Sequence, residues 1–350
     1  MNREELVTLV KDGEIVTELD LSGLDLSGAD LSGGIFEKVV LKGANLSGAR
    51  LKESVFCGCD LSEANLEGAN LHHASVLESK LTGANLKKLY APIARFVESN
   101  LAGVDLSGSN LLTVFFVECD LSGASLAEVT FDRGALVDAK VDGLDLRGSL
   151  IKQSVIAKTD LRKTLLTKTR FEIAVLHESV LAGMDLSGMD LGCSQFVDAD
   201  LSGADLSGAN LEQCNFKGAD LRGAKLEKAR APKAMFAAAK LEGAILSGAV
   251  LRETLFVEAL ATGANFEKAD LELSVFVRAS CVGARFGGAT LSYADFSNAD
   301  ISRADFAGAN MLRTRLHRVK DEDATFGLAR KIALGDDAEL AEAEGFVPAS

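Results

Sequence analysis

Histidine and cysteine carry much of the catalysis and metal binding found in proteins, and this chain has 4 histidines and 6 cysteines. The histidines are His72, His73, His177 and His317. The adjacent pair His72 and His73 suggests a metal site, but a bound transition metal needs at least a third protein ligand. No such ligand follows at a suitable spacing. We therefore expect His72 and His73 to be solvated surface residues, and we predict no metal site and no cofactor.

The cysteines give no sign of a reactive or cross-linked site. No two of them have the CxxC spacing of a zinc or redox motif. We expect small hydrophobic side chains in a reducing compartment. In the repeat described below, four face inward (Cys59, Cys119, Cys214 and Cys281) and two face outward (Cys57 and Cys193). A phosphate-binding loop and a nucleophile elbow are also missing from the sequence, so we predict that the protein is not an enzyme.

Composition limits where the protein works. The net charge is −14 and 47% of the residues are hydrophobic, yet no apolar run is long enough to span a bilayer. The opening segment MNREELVTLVKDGE has no apolar region of the kind found in signal peptides. We expect a cytoplasmic protein that does not enter membranes.

The elements that position these residues follow a five-residue repeat. Residues 199–210 read ADLSGADLSGAN, and stepping by five from a central Leu or Phe meets no gap between Leu21 and Leu316. A period of five matches neither an α-helix nor a flat strand. It predicts a solenoid, in which each repeat packs only on its neighbours.

This repeat resembles that of the pentapeptide-repeat proteins. The matching units include ADLSG (29–33), ANLSG (44–48), ANLEG (64–68), ANLHH (69–73), ADLSG (199–203) and ADLRG (219–223). The resemblance covers about 300 residues and implies an all-β solenoid, a right-handed quadrilateral β-helix of about 15 coils. In that fold four units make one coil, and the centre and the small residue point inward.

A second period in the sequence supports twenty residues per coil. Phenylalanine recurs at multiples of twenty, which predicts a stack along one side of the coil. The members of the stack are Phe36, Phe56, Phe96, Phe116, Phe196, Phe216, Phe236, Phe256, Phe276 and Phe296.

Three segments are predicted along the chain. Residues 1–13 form an N-terminal capping helix, with Asn2 as N-cap and Glu5 three residues later; residues 14–320 form the β-helix; and residues 321–350 form a C-terminal helical cap or tail. Within the tail we expect helices over residues 323–333 and 336–344. Two Ala-Pro steps, Ala91-Pro92 and Ala231-Pro232, predict a kink or a local irregularity, because proline cannot donate a ladder hydrogen bond.

One side of the coil departs from the polar pattern at its outward positions. On the phenylalanine side these positions are apolar: Ile35, Val55, Phe115, Val155, Val175, Met235, Leu255 and Val275 before the centre, and Leu77, Val97, Val117, Val137, Val197, Val257 and Val277 after it. Stacked in register, they would make a strip of about 400 Å², which favours a partner or dimer surface. The alternative is that β-branched residues merely suit outward strand positions.

An acidic column follows the strip at the next corner of the coil. Its residues are Glu78, Glu98, Glu118 and Asp138, followed by Lys158, Glu178 and Asp198. Like charges stacked about 5 Å apart repel one another, so this column needs either good solvation or a basic partner. Together the strip and the column predict a protein-docking face.

Two functions agree with these features. The first is a rigid scaffold or adaptor that binds a partner protein, or a second copy of the chain; some long members of the family that the sequence resembles are associated with type VI secretion loci. The alternative is a DNA mimic that binds DNA gyrase, as the quinolone-resistance members are thought to do. The net charge of −14 suits the second function, although much of it comes from the Asp of the repeat itself. We expect no direct binding of nucleic acid.

Overall fold

The computed structural model describes residues 1–345 and divides into two compact units, Met1–Val180 and Leu181–Ser350. In both units the parallel bridges join residues 20 apart in sequence, as in Asp25 with Asn45 and Leu255 with Val275. The large centres and the small residues are buried in both. Each unit is therefore a four-sided parallel β-helix, as the repeat predicts. We number the sides 1 to 4 by their centres, starting from Leu21, Leu26, Leu31 and Phe36.

Unit 1 begins with helix α1 (Arg3–Lys11), which is capped as predicted: Asn2 and Glu5 form a reciprocal capping box. Leu6 and Val10 are its buried residues. Eleven three-residue strands follow: β1 (Ile15–Thr17), β2 (Ile35–Glu37), β3 (Val55–Cys57), β4 (Ser75–Leu77), β5 (Arg95–Val97), β6 (Phe115–Val117), β7 (Thr130–Asp132), β8 (Ala135–Val137), β9 (Leu150–Lys152), β10 (Val155–Ala157) and β11 (Arg170–Glu172). Side 4 is an eight-stranded parallel sheet in the order β1-β2-β3-β4-β5-β6-β8-β10, and side 3 carries the sheet β11-β9-β7.

Most of the coil is built from one kind of tight turn. In the pentad around Leu26, the Ala29 N–H donates to the Leu26 carbonyl (3.0 Å), and Gly28 has a φ of 63°. The carboxylate before the centre completes the turn, because Asp25 Oδ1 accepts the Ser27 N–H (3.1 Å). This bond explains why Asp and Asn dominate the position before the centre.

The two Ala-Pro steps fit the same turn, so the predicted kink is wrong. The Ala94 N–H donates to the Ala91 carbonyl (3.1 Å), and Ile93 has a φ of 62°. This geometry places Pro92 second in the turn, a position that proline favours when the third residue is left-handed. The N–H that proline lacks is one that the ladder does not use, and Tyr90 offers no carboxylate to accept it.

On side 4 of unit 1, hydrogen bonds with side chains replace the backbone bond that closes the turn elsewhere. The Ser79 N–H donates to Ser99 Oγ of the next coil (3.1 Å) rather than to its own centre carbonyl. The Ser99 hydroxyl in turn lies 2.9 Å from the Val97 carbonyl and 3.3 Å from the Val76 carbonyl. Cys119 makes the same two carbonyl contacts with its thiol. Ser, Cys or Thr takes the small position in most of these coils, although Val39 and Ala139 also occur there.

Unit 2 keeps the tight turn on all four sides. Among its described residues the coils are joined by isolated bridges, without a three-residue strand. The predicted phenylalanine stack is confirmed on side 4: Phe216 and Phe236 lie 4.8 Å apart, and Phe236 and Phe256 lie 5.1 Å apart, with nearly parallel rings. A second stack with the same twenty-residue spacing, which the sequence prediction did not include, fills side 2 with Phe266, Phe286, Phe306 and Phe326.

The C-terminal tail differs from the prediction in its first helix. Instead of a helix over residues 323–333, the coil continues, since the Thr325 N–H donates to the Ala304 carbonyl (2.8 Å). Phe326 is half-buried and stacks on Phe306, and this ring contact favours continuation of the coil. Only a short 3-10 helix follows, Ala329–Ile332. The second predicted helix agrees with α2 (Ala338–Gly345), and residues 346–350 lie outside the described chain.

Candidate protein-docking face

The outward residues of side 4 in unit 1 form the face that the sequence singles out. The column after the centre is continuous, because Leu77 pairs with Val97, Val97 with Val117 and Val117 with Val137. The column before the centre is interrupted at Ser75 and Arg95. We call these two columns the apolar face of unit 1.

Most of the predicted members of this face are half-buried, and Ile35 alone among them is exposed. The half-buried members include Val97, Phe115, Val117, Val137, Val155 and Val175. Neighbouring coils cover their flanks, since Val155 pairs with Ala135 on one side and bridges to Val175 on the other. A partner would therefore contact the tips of these side chains, and their β-branched shapes also support the sheet beneath.

The predicted residues of unit 2 form a smaller patch. Leu255 bridges to Val275, and Val257 and Val277 lie on the far side of the same centres. Val197 is separated from these two by Lys217, which is exposed, and by Ala237. These residues are also half-buried. In unit 2 the structure therefore brings together Leu255, Val257, Val275 and Val277 but not Val197.

The acidic column lies beside the apolar face, where the structure exposes Glu78, Glu98, Glu118 and Asp138. We call these four residues the rail. Each holds a left-handed conformation, with φ between 49° and 53°. Their backbone N–H groups donate to the next coil, as Glu98 does to the Val117 carbonyl (2.9 Å). The rail is thus anchored through its backbone while its carboxylates stay in solvent.

None of the four carboxylates of the rail forms an ion pair within residues 1–345. Some acidic residues at comparable corners are paired, as Glu63 is with Lys42 (3.6 Å), Glu178 with His177 (2.7 Å) and Glu258 with Arg278 (3.2 Å), whereas Glu128 forms no ion pair within residues 1–345. The rail is therefore a row of four unpaired carboxylates along one edge of the apolar face.

The other edge of side 4 also carries side chains at strained backbone positions. This corner follows side 3, and it is glycine at Gly33 but at no later coil up to Arg313. All fourteen residues there have a positive φ: Glu53, His73, Ile93, Thr113, Arg133, Gln153, Ile173, Cys193, Gln213, Lys233, Glu253, Leu273, Tyr293 and Arg313. The corners that follow sides 1 and 2 are glycine in most coils.

This contrast has an energetic meaning. A left-handed conformation costs an L-residue roughly 1–2 kcal/mol, and the cost is avoided by glycine. Ile93 and Ile173 keep β-branched side chains there, with φ of 62° and 56°. The chain thus keeps side chains at the corners on both edges of side 4, whereas the corners that follow sides 1 and 2 are mostly glycine. The signal was present in the sequence as missing glycines, but the five-residue pattern alone did not reveal it.

The potentially reactive side chains do not assemble into a site. Burial raises the pKa of the Cys119 thiol to about 11 and that of Cys214 to about 12, which keeps both protonated. The four cysteines predicted to face inward are buried. His72 and His73 contact each other edge to face, and across the described residues no cluster of three metal-binding side chains occurs.

His317 has a structural role. Its side chain is fully buried, and its Nδ1 accepts the Asp337 N–H (3.1 Å), which ties the segment before α2 to the last coil. His177 is half-buried against Glu178. The long-range partner of His317 lies 20 residues away, so its structural role was not visible locally.

The family assignment rests on the repeat itself. A model of pentapeptide repeats matches the chain over more than half of its length, in 8 copies, at residues 20–56, 49–87, 99–134, 194–230, 234–272 and 279–318. This chain belongs to the pentapeptide repeat family. No curated protein sequence matches it at a significant level, and no helix in the described part of the chain has the length and apolar character needed to cross a membrane.

Two solved structures of pentapeptide repeat proteins are similar to parts of this chain. QnrB1, a plasmid-mediated fluoroquinolone resistance protein, is 19% identical over 61% of this chain and 91% of its own, with a TM-score of 0.45. HetL, from the cyanobacterium Nostoc sp. strain PCC 7120 and involved in regulating heterocyst differentiation, is 24% identical over 81% of this chain and 96% of its own, with a TM-score of 0.31.

Proposed function

We propose that this pentapeptide repeat protein is a non-enzymatic scaffold or adaptor that binds a partner protein through the apolar face of unit 1 and the rail. The observation that carries the proposal is the unpaired rail beside a continuous apolar column. Solvated like charges destabilise one another, and the tips of the apolar column contact water. A partner that supplies positive charge and apolar contacts would remove both costs. Val97, Val117 and Val137 would form the apolar centre of the contact, with Glu98 and Glu118 at its rim.

Further support comes from the two edges of side 4. Side chains are kept there in left-handed conformations, although glycine would relieve the strain. Strained positions that persist next to a surface favour a role for their side chains. The smaller patch of Leu255, Val257, Val275 and Val277 in unit 2 would serve as a second contact.

The test is capture of binding partners by tagged protein from cells of the source organism. We expect the Val117→Asp, Val137→Asp double variant to lose its partner, and Val257→Asp to weaken a second contact. Leu165→Asp is the matched control, because Leu165 is an exposed apolar residue on side 2 of unit 1 that bridges to Asp145. Partner capture that is equal for the double variant and for the control would refute the proposed face.

The identity of the captured partner distinguishes between the versions of this proposal. Enrichment of secretion components would support the link to type VI secretion, and a change of oligomeric state in Val117→Asp would indicate a homodimer through the same face. A cytoplasmic location is part of the proposal and is tested by cell fractionation.

DNA gyrase is the second candidate partner, favoured by the net charge of −14 and by the rail. Here the carboxylates would take the place of DNA phosphates. A supercoiling assay with purified gyrase, with and without a quinolone, tests this function. Protection of gyrase at sub-micromolar protein that is lost on neutralising the rail would replace the scaffold proposal.

A further inference from the structure

We propose that the apolar face of unit 1 accepts an amphipathic α-helix that has lysine or arginine residues along one edge and lies parallel to the rail. This inference rests on the proposed function and specifies its partner. It follows from the spacing of the rail, from the apolar column beside it, and from the lack of acidic residues on the opposite edge.

The spacing of the rail matches a helix better than an extended chain. Parallel strands lie about 4.8 Å apart, so the four carboxylates of the rail extend over about 14 Å. A helix rises 5.4 Å per turn, and residues at i, i+4, i+7 and i+11 extend over about 16 Å. In an extended strand, four residues on one face extend over about 20 Å. Flexible lysine side chains can absorb the difference of about 2 Å for the helix, but not the larger mismatch of the strand.

The column next to the rail supplies the apolar contact. Leu77, Val97, Val117 and Val137 pair in register along the same coils as the four carboxylates. Each rail residue follows directly after one of these side chains in sequence. A helix with its basic residues over the rail would therefore lay an adjacent apolar stripe on this column.

The opposite edge makes the site asymmetric. Over the same coils, the corner that follows side 3 carries His73, Ile93, Thr113 and Arg133, all with positive φ and none acidic. A helix with basic residues on both edges would place positive charge against Arg133, which repels it. A helix with basic residues on one edge places positive charge only against the acidic rail. The asymmetry therefore selects one rotational setting of the bound helix.

The experiment uses full-length protein and a synthetic 18-residue peptide labelled with fluorescein. The peptide carries lysine at i, i+4, i+7, i+11 and i+14, leucine on the adjacent stripe, and alanine and glutamine elsewhere. A second peptide has the same composition with the lysines distributed around the helix. Fluorescence anisotropy measures both affinities at two salt concentrations.

We expect the one-edged peptide to bind about tenfold more tightly than the scrambled peptide, and its affinity to fall with salt. Glu98→Gln with Glu118→Gln should remove most of this advantage. Glu63→Gln with Glu128→Gln is the matched control, because both residues are glutamates with positive φ at other corners. Glu98→Lys with Glu118→Lys should transfer the preference to a peptide with a glutamate edge.

The outcomes separate this inference from the proposed function. Equal binding of the two peptides, or equal effects of the two glutamine pairs, would overturn the helical partner. If neither peptide binds while Val117→Asp with Val137→Asp still abolishes capture of the cellular partner, the helical partner is wrong and the docking face stands. If that variant changes neither peptide binding nor partner capture, both proposals fail.

Discussion

The hydroxyl of Ser99 is expected to be essential to side 4 of unit 1, and Ser99→Ala tests this. Ser79 and Ser99 are 1% and 2% exposed, so water does not compete for their backbone groups. The Ser79 N–H donates only to Ser99 Oγ. By contrast, the Val97 carbonyl that accepts from the Ser99 hydroxyl also accepts the Glu78 N–H (3.0 Å). Removing the hydroxyl therefore leaves one buried donor without a partner while the carbonyl stays satisfied.

One buried, unpaired N–H costs about 1–3 kcal/mol. We expect Ser99→Ala to lower the free energy of unfolding of unit 1 by that amount in urea, and the Ser79 amide to exchange its hydrogen faster in the native state. Ser99→Cys should lose less, because a thiol sulfur can still accept weakly from the Ser79 N–H, and Cys119 keeps a carbonyl contact one coil further on, at 3.3 Å to the Phe96 carbonyl.

Ser62→Ala is the matched control, since Asp60 accepts the backbone N–H of Ser62, which alanine retains (2.9 Å). It should change stability by less than about 0.5 kcal/mol. The reasoning would be refuted if Ser99→Ala were no more destabilising than this control and the Ser79 amide were equally protected. That result would mean that side 4 can adopt the tight turn of unit 2 without loss.

Three further predictions follow from the turns and the core. Phe236→Ala should cost about 3–5 kcal/mol in urea unfolding, because the ring is fully buried between two others; a cost below about 2 kcal/mol would contradict tight stacking. Pro92→Ala should destabilise by about 0.5–1 kcal/mol, since it adds an unaccepted N–H and frees the unfolded chain; adding Tyr90→Asp should recover part of the loss, and no recovery would argue against the proposed turn bond. Hydrogen bonds from the Ser207 side chain and backbone lower the pKa of Asp205, so its contribution is complete above about pH 4 and is lost as the pH falls further. Asp205→Asn should therefore make thermal unfolding less sensitive to acid below pH 4, and an unchanged pH profile would contradict this.

The direction in which a side chain points was predictable because it depends only on position within the pentad. Leu26 and Ala29 face inward and Ser27 faces outward for the same reason in every coil. The twenty-residue spacing of phenylalanine likewise predicted which rings would stack, since coils of constant length place equal positions above one another. The capping box of Asn2 and Glu5 was also local, which is why it could be found from the sequence.

The bonds that close each turn were decided by the tertiary structure. A pentad on side 4 reads much like its neighbours, yet whether Ser79 donates to its own coil or to Ser99 depends on a residue 20 positions away. The kink predicted at the prolines was wrong for a related reason. The ladder does not use the N–H that Pro92 lacks, and only the folded turn shows this. The first helix predicted in the C-terminal tail was wrong because stacking of Phe326 on Phe306 outweighs the local helical preference.

The sequence by itself therefore determined the coil, its core and the composition of its sides, because a strict period leaves the chain one way to bury its large residues. The tertiary structure alone decided that the rail is unpaired and that His317 is buried. These properties depend on groups 20 residues or more away in sequence, and the fold brings such groups within bonding distance only when the coils stack.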